Sequence, residues 1–288
     1  RTHQAWRARS SGRGGAAGVD GGLIGRRGGA ASAWRRMLRG AVVPHNARRC
    51  RKLASIVSTL YLIRHGQASF GADNYDVLSP LGVRQAEILG EHLAGLGVRF
   101  DRCISGDLKR QQDTGRAIMG RLADSPELEI DAAFNEFVAD EVIQAHLPDL
   151  LKDEPEALHI LENAAQHRAE FQRIFSIIIG RWVSGEHEKE GLQSWQSFLD
   201  RVETALRRLL AQADKKDRIA IFTSGGTITA VLQLIIGMPA IKAFELNWQI
   251  VNTSLSLVKF RGDDLALASF NSHAHLELLK KPDLITYR

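Results

Sequence analysis

The 288-residue chain is 44% hydrophobic, but its longest candidate apolar stretch, residues 174–179, interrupted by Ser176, falls far short of the ~20 residues that a membrane-spanning helix needs. Its two cysteines, Cys50 and Cys103, form no CxxC pair and no disulfide framework, which argues against a thiolate zinc site and for a reducing, cytoplasmic compartment. The net charge of +5 hides a division, because residues 1–56 carry +12 and the remainder −7, so the basic balance implies no nucleic-acid surface on the body of the protein.

Residues 1–55 are rich in Gly, Arg, Ala and Ser and show no hydrophobic period. Such a segment cannot bury enough apolar area to offset its ordering entropy, and it reads as a disordered basic extension. Upstream sequence translated from a misplaced start, an organelle transit peptide and an anion-binding tail are the competing origins. Residues 56–288 read as one domain.

That domain opens with a β-branched run, residues 56–63, that predicts a buried strand. Ser79-Pro80 offers an N-cap and a first-turn proline, and Ala86, Leu89, Leu93 and Leu96 follow at helical spacing until Gly95 and Gly97. A strand over 101–105 leads into a helix over 108–122, and residues 129–131 look strand-like. Residues 138–193 are polar and mostly helical in character, and predict an insertion above the core. A helix follows with Phe198, Val202, Ala205 or Leu206, and Leu209 on one face, then a buried strand over 218–222, a Gly-rich turn and an apolar helix to Ile236. Strand-like stretches at 243–247, 254–260 and 265–270 close the chain. Strands alternating with helices predict an α/β fold of three layers, a mostly parallel sheet with helices on both faces.

Chemistry concentrates at strand ends, where open α/β sheets place their ligands. The first strand ends in Arg64-His65-Gly66-Gln67, an imidazole able to act as nucleophile or base beside a guanidinium able to hold an anionic oxygen. Arg110 lies just inside the helix after the second strand. Glu136 lies in the loop after residues 129–131, where a carboxylic acid can protonate a leaving oxygen, with Asp140 and Glu141 close enough to compete. Ser224-Gly225-Gly226-Thr227 opens a helix, and N–H groups at a helix start favour anions. Gln67 and Ser69 either bind phosphate or shape their loop. His273 and His275 form an H-x-H, but no Asp, Glu or Cys set beside them has metal-ligand spacing, so no metal and no cofactor is expected.

In order and spacing these parts resemble the histidine phosphatase superfamily, which includes the phosphoglycerate mutases. The resemblance spans about residues 56–278 and rests on Arg64-His65-Gly66, on the segment 78–86, on Ser105 to Thr114 with its second arginine, and on Asn271…His275-Leu276. It implies a phosphoglycerate mutase-like fold with the helical insertion over the active site. It also implies a phosphomonoester hydrolase in which His65 is phosphorylated, Arg64 and Arg110 clamp the phosphoryl oxygens, and Glu136 serves as acid and then base. Gln67, Ser224 and Gly225 complete the expected phosphate-binding set. The implied partner is a phosphorylated small molecule or a phosphoprotein, with no nucleic acid and no membrane.

The pattern is broken where the family carries a second histidine, because Ser224 stands there, and more mildly at Asp113, where the family often has glutamine. A neutral hydroxyl replaces a charged donor, and charge-assisted bonds are roughly twice as strong. Two alternatives therefore stand beside the hydrolase: a phosphate-ester-binding or regulatory protein with little turnover, and a phosphoglycerate-type mutase.

Overall fold

The computed structural model describes residues 57–69, 76–164 and 166–287. The expectation of a disordered extension over 1–55 lies outside the described residues. Six strands form one sheet in the order β3-β2-β4-β1-β5-β6, with β1 Ser58–Arg64, β2 Arg102–Ser105, β3 Leu128–Ile130, β4 Arg218–Thr223, β5 Leu255–Arg261 and β6 Asp264–Ser272. β3, β2, β4 and β1 are mutually parallel, β5 is antiparallel to β1, and β6 is antiparallel to β5. Only β5 is reversed, so the sheet is mostly parallel, as the alternation of strands and helices predicts.

Side-chain alternation along the central strands separates two cores, one on each face of the sheet. Ile63, Cys103, Ala220 and Phe222 point to the face covered by α1 (Pro80–Gly95) and α2 (Lys109–Met119), where they meet Ala86, Leu89, Leu93 and Ile118. Leu60, Leu62, Ile104, Ile219 and Ile221 point to the other face. There they pack with buried residues of α3 (Ala139–Asp153), α5 (Arg168–Ser184), α6 (Trp195–Ala211), α7 (Gly225–Ile236) and α8 (Ala240–Asn247). Short α4 (Ala157–Glu162) joins α3 to α5, so the segment 138–193 is mostly helical. Trp182 and Trp195 are buried in this second core, stacked among Phe137, Phe198 and Phe244.

The cap predicted for α1 is present, with Ser79 Oγ accepting the Gly82 N–H at 3.0 Å. One element is corrected: residues 243–247 lie in α8, not in a strand. Their alternation is a helical face in which Ala243 and Phe244 are buried, and α8 follows Pro239, two residues after the left-handed Gly237 that ends α7. Among the described residues no helix is long and apolar enough to cross a membrane.

Candidate active site at the strand ends

The site is built where β1 and β4 end side by side. Their parallel register pairs Arg64 with Thr223, so His65 and Ser224 leave the sheet as neighbours, and the His65 N–H donates to the Thr223 carbonyl at 2.8 Å. His65 is 3% exposed, and its Nδ1 lies 2.7 Å from the Gly66 carbonyl oxygen. A carbonyl only accepts, so Nδ1 carries the proton and Nε2 keeps its lone pair. Burial, then the nearby charges of Arg110 and Arg64, push the imidazole well below its ordinary pKa, against the raising effect of the Gly66 bond. The ring is therefore neutral at pH 7, the form in which nitrogen is a nucleophile.

The backbone around this ring is fastened from three directions. The Gly66 N–H donates to Thr114 Oγ1 at 3.0 Å, and that hydroxyl in turn donates to the Arg110 carbonyl. Asn252 Nδ2 donates to the His65 carbonyl at 3.0 Å, and the Thr253 N–H reaches the carbonyls of both Arg64 and His65. Thr253 holds this pose at φ +59°, an uncommon conformation for a β-branched residue. The Gln67 N–H donates to Gln85 Oε1 and its side-chain oxygen accepts from Ser79 Oγ.

Arg64 donates to the Ile250 carbonyl. Arg110 is 7% exposed and pairs with Asp76 at 2.7 Å. Asp76 also accepts the N–H groups of Lys109 and Arg110, so a carboxylate 33 residues upstream caps α2, whose own N-cap residue Leu108 supplies no side-chain bond. The same contact that starts the helix also orients its arginine.

Glu136 reaches this centre from the loop after β3. Its carboxylate accepts from the Gly226 N–H at 2.9 Å, in the first turn of α7, and from the Phe137 N–H at 3.1 Å. A Cβ at position 226 would sit 2.0 Å from Glu136 Oε1, so the second glycine of the turn is what lets the carboxylate approach. Burial raises the Glu136 pKa, opposed by the Gly226 N–H, Arg110, the Phe137 N–H and Arg64. The supporting bonds come from residues the sequence did not single out. Thr223 Oγ1 donates to the Phe134 carbonyl, Thr227 Oγ1 to that of Asn135 at 3.0 Å, and Arg201 Nη2 to that of Asn135 at 2.9 Å. Asp140 and Glu141 start α3 instead.

Ser224 is fully buried, does not cap α7, and accepts Gln111 Nε2–H at 2.8 Å. Gly225 is buried against α8, with the Asn247 side chain 2.3 Å from where a Cβ would stand. His275 Nε2 lies 3.1 Å from Oγ1 of Thr253, whose N–H reaches the Arg64 and His65 carbonyls, while His273 faces Glu277. Among the described residues no group of three or more His, Cys, Asp or Glu is arranged to hold a metal ion.

The family model of the histidine phosphatase superfamily (branch 1) matches residues 60–273. A mitochondrial serine/threonine-protein phosphatase, Pgam5 of Drosophila yakuba, is 29% identical over 118 residues, covering 40% of this chain and 40% of that protein. A 2,3-bisphosphoglycerate-dependent phosphoglycerate mutase of Allorhizobium ampelinum is 35% identical over 88 residues, 28% of this chain and 42% of that protein. The aligned part thus spans about two fifths of these curated relatives' length. Among solved structures, phosphoserine phosphatase of Entamoeba histolytica superposes with a TM-score of 0.53 at 21% identity, over 76% of this chain and 99% of that one. Phosphoglycerate mutase of Bacillus anthracis superposes with a TM-score of 0.55 at 18% identity, over 80% and 100%.

Proposed function

The chain belongs to the histidine phosphatase superfamily, and from that premise we propose that it is a phosphomonoester hydrolase working through a phosphohistidine on His65. The observation that carries this reading is a buried neutral imidazole whose Nδ1 is tied to the Gly66 carbonyl, with the charges of Arg64 and Arg110 acting on the same ring.

In the first step the Nε2 lone pair attacks phosphorus as the ester P–O bond breaks, and protonated Glu136 gives its proton to the departing oxygen. Its raised pKa supports that acid role. Arg64 and Arg110 bind the equatorial oxygens and stabilise their charge, with Gln67, Ser224 and Gly225 closing the phosphate site. In the second step a water attacks the phosphohistidine, its proton returns to Glu136, and phosphate leaves with His65 neutral again. Two substitutions thereby replace one harder displacement. This cycle calls on protein groups alone.

The substrate is a phosphorylated small molecule or a phosphoprotein, a range supported by the phosphatases among the similar proteins. Ser224 in the histidine's place favours a second reading, a phosphate-ester-binding protein with little turnover, and the matched mutase keeps phosphoryl relocation open to product analysis. The arginine-rich residues 1–55 and the mitochondrial relatives support organelle targeting over the cytoplasmic compartment expected from cysteine usage.

Hydrolysis of p-nitrophenyl phosphate by the wild type and by His65→Ala tests the proposal. The variant is expected to lose at least about 10³ in kcat, and intact mass after an acid-free quench is expected to show a phosphoryl adduct in the wild type alone. Equal rates would remove the claim. Phosphate-ester binding without hydrolysis would install the second reading.

A further inference from the structure

The catalytic cycle makes no use of Gln111, a fully buried amide one residue beyond the clamping Arg110. Its Nε2 donates to Ser224 Oγ at 2.8 Å and lies 3.4 Å from the Phe134 carbonyl. That carbonyl can only accept, which identifies the nitrogen end of the amide as the one facing Ser224. A hydroxyl has one proton and two lone pairs, so when Oγ accepts from Gln111 its own proton must go to another acceptor. Among the described residues Ser224 donates to none, and the side chain does not cap α7.

The placement of this pair is built, not incidental. A Cβ at position 106 would stand 2.0 Å from Gln111 Oε1, so glycine at the end of β2 makes the room that the amide occupies. Ser224 in turn leaves β4 beside His65, and two residues later the chain gives its N–H to Glu136. The Ser224 hydroxyl is thus held from one side by an amide, one residue past the end of β4 and beside His65.

We propose that Gln111 is a positioning residue that fixes the Ser224 hydroxyl as a neutral hydrogen-bond donor to the transferring phosphoryl group. This deepens the phosphohistidine reading and rests on it. Without Gln111 the hydroxyl rotates among its staggered states and donates only part of the time. With it, a non-titrating donor stands where a charged one is absent, and a preorganised donor contributes through the transition state more than through ground-state binding.

The test is a double-mutant cycle on the full chain with p-nitrophenyl phosphate. Gln111→Met keeps the volume and removes the amide; Ser224→Ala removes the hydroxyl. Each single variant is expected to lower kcat about 10- to 100-fold with KM within about threefold, and the double variant to be no slower than Ser224→Ala. Gln111→Glu supplies a second readout. Its ionised carboxylate accepts the Ser224 proton, so activity should fall as pH rises through the new carboxyl's pKa, and that limb should vanish in the Ser224→Ala background. Additive losses, an unchanged kcat in Gln111→Met, or a limb that persists without Ser224 would each overturn the proposal. A wild type that does not hydrolyse the ester would defeat the phosphatase reading separately. The same cycle read on orthovanadate affinity then decides the pairing, with coupled losses supporting it and additive ones removing it.

Discussion

Glu136 and His65 titrate in opposite directions from their usual values, and that separation sets what each can do. Burial keeps Glu136 protonated to higher pH than an ordinary carboxyl, while burial and two guanidinium groups keep His65 neutral to lower pH. Glu136→Gln therefore removes an acid that poor leaving groups need and p-nitrophenolate does not. With p-nitrophenyl phosphate the variant is expected to release a stoichiometric burst and then stall, because the amide cannot accept a proton from the attacking water. The steady rate should fall about 10²- to 10⁴-fold, and stopped-flow absorbance checks it; a uniformly slow release with no burst would count against the assignment. The same scale shows what was legible in the sequence. His65 and Arg64 stood out because a motif puts them at a strand end, and Arg110 because it lies just inside the helix after the second strand. Gln111 and Asp76 did not, because their roles rest on contacts 113 and 34 residues away in the chain that no local pattern reports.

Among elements, the segment after α8 bears on the nucleophile most directly. Asn252 joins the His65 carbonyl to the last described stretch of the chain, accepting from Thr286 Oγ1 at 2.8 Å and donating its own N–H to the Thr286 carbonyl at 2.9 Å. Gln85 on α1 closes the circuit, with Nε2 on the Leu284 carbonyl and Thr286 Oγ1 and Oε1 on the Gln67 N–H. Asn252→Ala takes one of its two donors from the His65 carbonyl and the acceptor from the Thr286 hydroxyl, and is expected to cost about 1–3 kcal/mol in urea denaturation. A displaced imidazole also reacts slowly, so kcat should fall at least about tenfold while KM moves little; an unchanged kcat in a folded variant would separate the network from the chemistry. Periodicity found α1 and α6, whose apolar faces are long and continuous. It misread α8, where eight residues offer barely two turns and only Ala243 and Phe244 are buried, too short a record to tell a period of 3.6 from one of 2.

For the molecule as a whole, acid is the expected weakness. His65, His146 and His275 are all depressed: His65 well below 6.5, His146 below it, and His275 to about 3, burial being the first cause in each. His146 is 1% exposed on α3, neither ring nitrogen has a hydrogen-bond partner among the described residues, and Lys189, His187 and Arg181 oppose its protonation more than Asp149 favours it. In the unfolded chain each histidine takes up a proton near pH 6.5, whereas the folded chain resists. Stability is thus fully present above about pH 6.5 and is lost below it, down to each folded pKa, by up to about 1.4 kcal/mol per pH unit per histidine. His146→Leu, which fills similar space with nothing to protonate, should flatten the fall in melting temperature between pH 6.5 and 5. An unaltered slope would show that His146 takes no part.

Since Asn252 and Gln85 both grip residues 284–286, the carboxyl end of the described chain is part of the frame around His65 and not a free tether. A purification handle or fluorescent protein fused directly after it would pull on that frame. One spaced by a long flexible linker beyond the half-exposed Tyr287 would leave the frame alone.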